Sequence, residues 1–361
     1  MTETIRLSLE ALREVVLISL RSKAVSEAHA SAIADQIVAA ERDGSESHGF
    51  FRLPGYLKSV ISGKVDPQSV PEVREIAPSV LRVDLNNGFA PLGHVAVRER
   101  AIAIAKRQGI AAVAFVNSFH FSALWAELEP IAEQGIGGFA FRAGVSRVAP
   151  EGGVLPVFGT NPIGFAWPRH GRPPLVIDLA TSAIARGEIQ LRQRTGQEIP
   201  PGWAIDVDGN STTDPARGLA GAQLTFGGYK GSALALMVEL LAGPLIGDML
   251  SFEALRADNG DGGPPRGGEL LILFDPSRFV SEGSKDPTEH AERLFELLTQ
   301  QPGVRLPSDR RYRARQHSKM NGVNVSRTLL QDVVSLSGEM AAGQISAFLG
   351  ANESNHITGE S

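Results

Sequence analysis

Apolar residues repeat at helical spacing from the beginning of the chain. Leu9, Leu12, Val16 and Leu20 predict a helix capped by Ser8. Ala30, Ile33 and Ile37 predict a second, with Ser26 as its N-cap and Gly44 as its stop. A third lies near residues 56–61 and ends at Gly63. Beyond residue 70 the period shortens. Residues 73–76 and 80–85, parted by Ala77-Pro78-Ser79, predict a hairpin. Helical spacing returns over 91–108, closed by Gly109, and the unbroken apolar run 110–116 predicts a buried strand. A helix over 124–133, strands at 138–142 and 175–178, a helix over 230–241 and a strand at 269–274 follow. Asp286-Pro287-Thr288-Glu289 is a complete helix start, with Asp as N-cap, Pro at N1 and Glu at N3. Helices first, then strands and helices intermixed, predict an α/β or α+β body with a helical appendage. Residues 257–268, ADNGDGGPPRGG, read as a flexible loop, and the tail from Gly350 as frayed.

Composition narrows the function more than the fold. The chain has 361 residues, enough for about two domains at roughly 150 residues each. With 42% apolar and 21% charged residues, wholesale disorder is excluded. A net charge of −5 argues against nucleic acid or an anionic membrane surface as partner. The absence of cysteine excludes disulfides, thiolate catalysis and Cys-ligated metal. The opening MTETIRLSLE lacks the apolar stretch of a signal peptide, and the longest apolar runs read as too short or interrupted to span a bilayer. A soluble cytoplasmic protein is expected. Eight histidines, with no H-E-x-x-H and no close His/acid cluster, predict no metal centre.

Several segments concentrate chemistry. Gly135-Ile136-Gly137-Gly138-Phe139-Ala140 fits the dinucleotide fingerprint in letters only, because a helix precedes it and a strand follows. No Walker A sequence occurs. Any nicotinamide cofactor must therefore bind without a Rossmann turn. Residues 42–56 set Ser47 beside His48, with Arg52 four positions on. If helical, His48 and Arg52 share a face, suited to docking a carboxylate and delivering a proton. A capped helix start with a surface salt bridge is the plainer alternative, and Pro54 favours a first turn. Residues 118–125, SFHFSALW, follow a buried strand and precede a helix, where free N–H groups meet anions. Phe158-Gly159-Thr160-Asn161-Pro162 and Asp178-Leu179-Ala180-Thr181-Ser182-Ala183 read equally as tight turns or ligand loops. Gly227-Gly228-Tyr229-Lys230-Gly231 opens a helix and could hold a phosphate. Arginines at 305, 310, 311, 313 and 315 suggest an anion grip or a solvated basic face.

In this order, ERDGSESHGFFRLPGYL, SFHFSALW, FGTNPIGF, IDLATSAIARGEIQL and FGGYKGSALALMVELL resemble the malate/L-lactate dehydrogenase-like family of nicotinamide-dependent oxidoreductases, over about residues 8–340. Within it, SFHFSALW and SHGFFRLPGYL look most like the Δ1-piperideine-2-carboxylate/Δ1-pyrroline-2-carboxylate reductases. The resemblance implies a mixed α/β, mainly antiparallel, non-Rossmann fold and a homodimer with active sites near the subunit interface. It is read here as a helical segment, 1–72, packed with 305–361, and a sheet-containing body, 73–304, with room for two nested subdomains. It implies NADPH as cofactor, with NADH as the alternative, and a small carboxylate as substrate. His48 would be the proton donor, relayed through Ser47 and Glu188, while Arg52 and Thr160 would bind the substrate. His120, Phe121, Ser122, Ala123, Leu124, Asp178, Leu179, Ala180, Tyr229, Lys230, Arg305, Arg310 and Arg311 would line the cofactor. One departure stands out: Glu188 occupies the place where these reductases carry an aspartate. The implied function is reduction of a cyclic imino acid to L-pipecolate or L-proline. The alternative is a 2-hydroxy-acid dehydrogenase of the malate, lactate, ureidoglycolate or sulfolactate type.

Overall fold

In the computed structural model, residues 3–357 are described, with side chains to residue 350. The chain opens with Thr4–Leu7 (β1), Leu9–Arg21 (α1), Glu27–Arg42 (α2) and Leu53–Ile61 (α3). Then come Glu72–Ala77 (β2), Val80–Asp84 (β3), Ala90–Gln108 (α4), Ile110–Val116 (β4), Leu124–Ala132 (α5) and Gly137–Arg142 (β5). Ile163–Trp167 (β6), Leu175–Leu179 (β7), Arg186–Thr195 (α6), Ala204–Ile205 (β8), Pro215–Ala220 (α7) and Ala222–Gln223 (β9) follow. The remainder is Tyr229–Ala242 (α8), Ser251–Ala257 (α9), Glu269–Phe274 (β10), Pro287–Thr299 (α10), Asp309–Asn321 (α11), Val323–Ser326 (β11), Arg327–Ser337 (α12) and Glu339–Ile357 (α13).

These elements form two compact units. One comprises Met1–Ser69, Asn259–Pro264 and Arg310–Ser361; the other comprises Val70–Asp258 and Pro265–Asp309. The first is helical, with β1 paired antiparallel to β11. Its interior gathers the apolar stripes of α1, α2, α3 and α12, among them Leu12, Val16, Leu20, Ile33, Ile37, Leu57 and Val333, all fully or almost fully buried. Ser8 and Ser26 cap α1 and α2 through their side chains, as their positions predict.

The second unit is built on a seven-stranded sheet of order β2-β3-β4-β10-β5-β6-β7. Only β3 and β4 run parallel; every other neighbouring pair is antiparallel. This topology explains why the Gly135–Ala140 segment is no dinucleotide turn. Its glycines enter β5, where Gly138 stands opposite Leu273 on β10. Strand alternation sends Ala114 and Val116 to one face, packed with Val238, Ala242 and Ile246. Val113 and Phe115 face the other way, where His94 of α4 stacks on Phe115 with ring centroids 4.2 Å apart.

Three sequence expectations change. The 257–268 loop is pinned rather than loose: Asp261 accepts from Lys64 Nζ at 2.6 Å and from the hydroxyls of Ser59 and Ser62, each at 2.9 Å. Helix α13 runs on past Gly350 to Ile357, where fraying was expected; residues 358–361 lie outside the described residues. Residues 229–246 form an 18-residue stretch of mean hydropathy 1.3, long and apolar enough to cross a membrane. Within it, however, α8 stops at Ala242 and packs Val238 and Ala242 into the core.

Candidate active site

In the helical unit, α2 delivers the chain to Ser47, His48 and Arg52. The helical reading of this segment was conditional, and the condition is not met. Two 3₁₀ turns, Glu46–His48 and Phe50–Arg52, are separated by Gly49, and α3 begins only at Leu53 with Pro54 in its first turn. The cause is local. The buried Glu41 carboxylate accepts the Phe50 N–H at 2.7 Å, and a Cβ on Gly49 would collide with that carboxylate. Proline in the first turn then sets where α3 can start.

The Ser47 hydroxyl lies 3.0 Å from His48 Nδ1. Burial, aided by the Arg52 charge, pushes the His48 imidazole down to about 3, so it is neutral at pH 7. Burial likewise lowers the Arg52 guanidinium to about 10, leaving it a cation. It lies over the Phe51 ring, 5.3 Å from the centroid. Asp43, at the end of α2, accepts from Arg42 at 2.7 Å and from Arg315 of α11 at 2.6 Å. That ion pair fixes α11, whose first turn carries the exposed Arg310 and the half-buried Arg311.

The sheet unit carries the other candidates. Strand β7 ends in Asp178 and Leu179, followed by Ala180. Asp178 Oδ2 accepts the Trp125 N–H at 3.1 Å, joining the 178–180 segment to the 120–124 connection. In that connection Phe121 and Ser122 are half-buried, Ala123 and Leu124 are buried, and Ser122 adopts a left-handed φ of 59°. Thr160 is half-buried, and its carbonyl accepts from both Thr181 N at 2.9 Å and Thr181 Oγ1 at 3.0 Å. Next to it, buried Asn161 donates to Glu239 Oε1 at 2.7 Å, so the FGTNP loop is held from inside. Gly228 is the N-cap of α8 and no side chain caps that end, while Tyr229 and Lys230 stand in solvent. An open helix N-terminus with an adjacent lysine fits the phosphates of a dinucleotide. Arg305 is exposed ahead of α11. Glu188, on the first turn of α6, accepts from Arg192 at 3.2 Å within its own helix.

The His120 side chain is fully buried and meets Glu127 of α5. With His94 of α4 and Glu269 of β10, these residues form a buried set whose polar atoms all lie within 4.8 Å of one another. This corrects the expectation of no close His/acid cluster. His94 and Glu269 stand far from the His120–Glu127 pair in the chain, and the only sequence signal was a polar residue opening the apolar strand 269–274 and a histidine inside a helix. Glu41 was missed as well.

The malate/L-lactate dehydrogenase family profile matches residues 7–334. The Δ1-pyrroline-2-carboxylate reductase of Ancylobacter novellus is 49% identical over 336 residues, 93% of this chain and 98% of the relative. The Δ1-pyrroline-2-carboxylate/Δ1-piperideine-2-carboxylate reductase of Pseudomonas aeruginosa is 48% identical over 332 residues, 92% of this chain and 99% of the relative. A crystal structure of Δ1-piperideine-2-carboxylate reductase from Pseudomonas syringae pvar. tomato matches with a TM-score of 0.86 at 40% identity, covering 92% of this chain and 100% of that one. A mainly antiparallel sheet in place of a Rossmann core, a family profile over most of the length and near-complete coverage of these reductases agree: the chain belongs to the malate/L-lactate dehydrogenase family of nicotinamide-dependent oxidoreductases.

Proposed function

We propose that this protein reduces the C=N bond of a cyclic α-imino acid, Δ1-piperideine-2-carboxylate or Δ1-pyrroline-2-carboxylate, to L-pipecolate or L-proline with NADPH. The observation that carries the reading is the 47–52 turn. It presents one cation for a carboxylate and one neutral imidazole whose other nitrogen is taken by a hydroxyl. When bound, the nicotinamide supplies the hydride. Arg52 takes the substrate carboxylate as a planar fork. That carboxylate cancels the guanidinium charge felt by His48, so the imidazole gains proton affinity as the substrate docks. His48 then gives its Nε2 proton to the ring nitrogen while Nδ1 takes the Ser47 hydroxyl proton, which solvent replaces. Glu188 is assigned to the relay. Its i,i+4 pair with Arg192 is partly exposed and worth only about 0.3–0.5 kcal/mol, so the carboxylate is readily released. Thr160 completes the substrate site.

The cofactor is assigned to the backbone of His120–Leu124, to Asp178–Ala180, to Tyr229 and Lys230, and to Arg305, Arg310 and Arg311. Asp309 is the acid that could instead greet the ribose hydroxyls of NADH. Its carboxylate accepts the Leu306 N–H at 3.0 Å, which occupies it and supports NADPH. We further assign a cytoplasmic homodimer. Leu236, Leu240 and Leu245, 50%, 54% and 64% exposed, line the outer side of α8 and the turn after it, a face suited to a second copy. Purified protein with NADPH should consume it on either cyclic imino acid and not on pyruvate or oxaloacetate. Turnover confined to the 2-oxo acids would replace this reading with the 2-hydroxy-acid dehydrogenase reading.

A further inference from the structure

Five ionisable side chains meet in the core of the sheet unit, and the proposed chemistry uses none of them. Glu269 opens the central strand β10, opposite Arg142 on β5. His94 comes from α4, Glu127 from the first turn of α5, and His120 from the connection between β4 and α5. None is more than 6% exposed. His94 Nε2 lies 3.1 Å from Glu269 Oε1 and 3.6 Å from Glu127 Oε2, and Arg142 Nη1 lies 3.7 Å from Glu269 Oε2. His120 Nε2 contacts Glu127 Oε1.

Charge arithmetic sets what this core holds. Two carboxylates and one guanidinium leave one negative charge, and burying an uncompensated charge costs several kcal/mol. One proton, shared by Glu127 and His120, brings the sum to zero. A divalent cation in its place would leave an excess positive charge beside Arg142. The proton affinities agree. Burial and the neighbouring Glu269 raise Glu127, whereas Glu269 is held low against its burial by the hydrogen bond from His94 and the Arg142 charge.

The same side chains grip the connection that leads to α5. Arg142 Nη1 donates to Ser118 Oγ at 2.7 Å, and Ser118 Oγ donates to the Gly267 carbonyl at 3.0 Å. His120 N donates to the Pro265 carbonyl at 3.1 Å, and Arg142 Nη2 reaches that carbonyl at 3.4 Å. We propose that His94, His120, Glu127, Arg142 and Glu269 form a charge-neutral, proton-sharing anchor that fixes the 118–124 connection for the cofactor. Glu127 and His120 are then positioning residues, acting through the backbone they hold. This rests on the assignment of 120–124 to the cofactor.

The test compares Glu127→Gln with Glu127→Leu. Glutamine leaves with the shared proton and keeps the sum at zero while still bonding His120; leucine removes the bond. Glu127→Gln should stay within about threefold of wild type in KM for NADPH, whereas Glu127→Leu should raise it about tenfold or more, the scale of one lost buried bond, with KM for the imino acid little changed. Hydrogen exchange of peptides spanning 117–124 should quicken in Glu127→Leu only. Should that variant not fold, His94→Gln against His94→Leu gives the same comparison. A lowered Tm with unchanged KM for NADPH and unchanged exchange would overturn the anchor, as would one equivalent of zinc per chain in the purified wild type. Wild-type protein that neither binds nor oxidises NADPH would instead overturn the cofactor assignment, and the exchange measurement would still judge the anchor.

Discussion

His48 and Arg52 stand four positions apart, yet a carboxylate behind the turn, rather than a helical face, sets how they are presented. Glu41 holds Phe50 N–H from inside, so backbone and side chain are fixed together. The two candidate residues differ in what they can lose. Arg52→Lys keeps the charge but not the planar fork, and kcat/KM for the imino acid should fall roughly ten- to a hundredfold, with KM for NADPH nearly unchanged. An equal loss of cofactor affinity would show that Arg52 is not dedicated to the substrate. Glu41 has a consequence for stability. Burial, with Glu46 adding to it, pushes its carboxyl up to about 7, so between the unfolded value near 4.5 and about 7 the folded chain holds the extra proton. Its contribution is fully present below pH 4.5 and is lost as pH rises through 7, a swing on the order of 3 kcal/mol. His48, lowered to about 3, works in the opposite sense between about pH 3 and 6.5. The difference between wild type and Glu41→Gln cancels that term. Unfolding in urea at pH 5 and pH 8 should show the Gln variant gaining on wild type at the higher pH; parallel behaviour would mean Glu41 is not raised.

At the scale of elements, the strands and helices with a strong period were readable. The run 110–116 is apolar throughout because β4 is covered on both faces, and the Asp286 start caps α10 as its residues predict. Elements without such a period escaped. α11, DRRYRARQHSKMN, has no apolar stripe, and β11 and β6 are short. Position in the chain also hid the buried cluster, since no local pattern links His94 to Glu269. The site motifs were legible because a turn states its chemistry locally. The Ser47–His48 contact is between neighbours, and the α8 entry needs Gly227 and Gly228 at positive φ, 57° and 64°. What α11 does can be tested on its first turn. Replacing Arg310 and Arg311 together by Ala should raise KM for NADPH about tenfold or more, on the scale of one or two lost charge-assisted hydrogen bonds, while leaving NADH almost untouched. Equal weakening of both cofactors, or a wild type that already favours NADH, would remove these arginines from the 2′-phosphate.

For the whole molecule, the candidate residues fall in both units. Ser47, His48 and Arg52 belong to the helical unit, and the glycine turn before α8 with the 118–124 connection belongs to the sheet unit. The chain crosses between units at residues 69–70, 258–259, 264–265 and 309–310. The helical unit is therefore closed by its own C-terminal helices, and it cannot be cut out as one continuous piece. Assembly adds a further level. Leu236 and Leu240 sit one helical turn apart on α8, and Leu245 in the turn that follows is exposed as well, so a second copy could bury these apolar side chains. Burying each leucine is worth about 1.5–3 kcal/mol, whereas a glutamate in the same place brings an unpaired charge. Leu240→Glu should therefore weaken a dimer by about a hundredfold or more in Kd, seen as a shift to monomer in light scattering after size exclusion. Circular dichroism should stay native, because Leu240 is outside the core cluster that holds Val238 and Ala242. A dimer of unchanged mass and affinity would place the interface elsewhere on the chain, and a wild type that is monomeric at micromolar concentration would remove the dimer altogether.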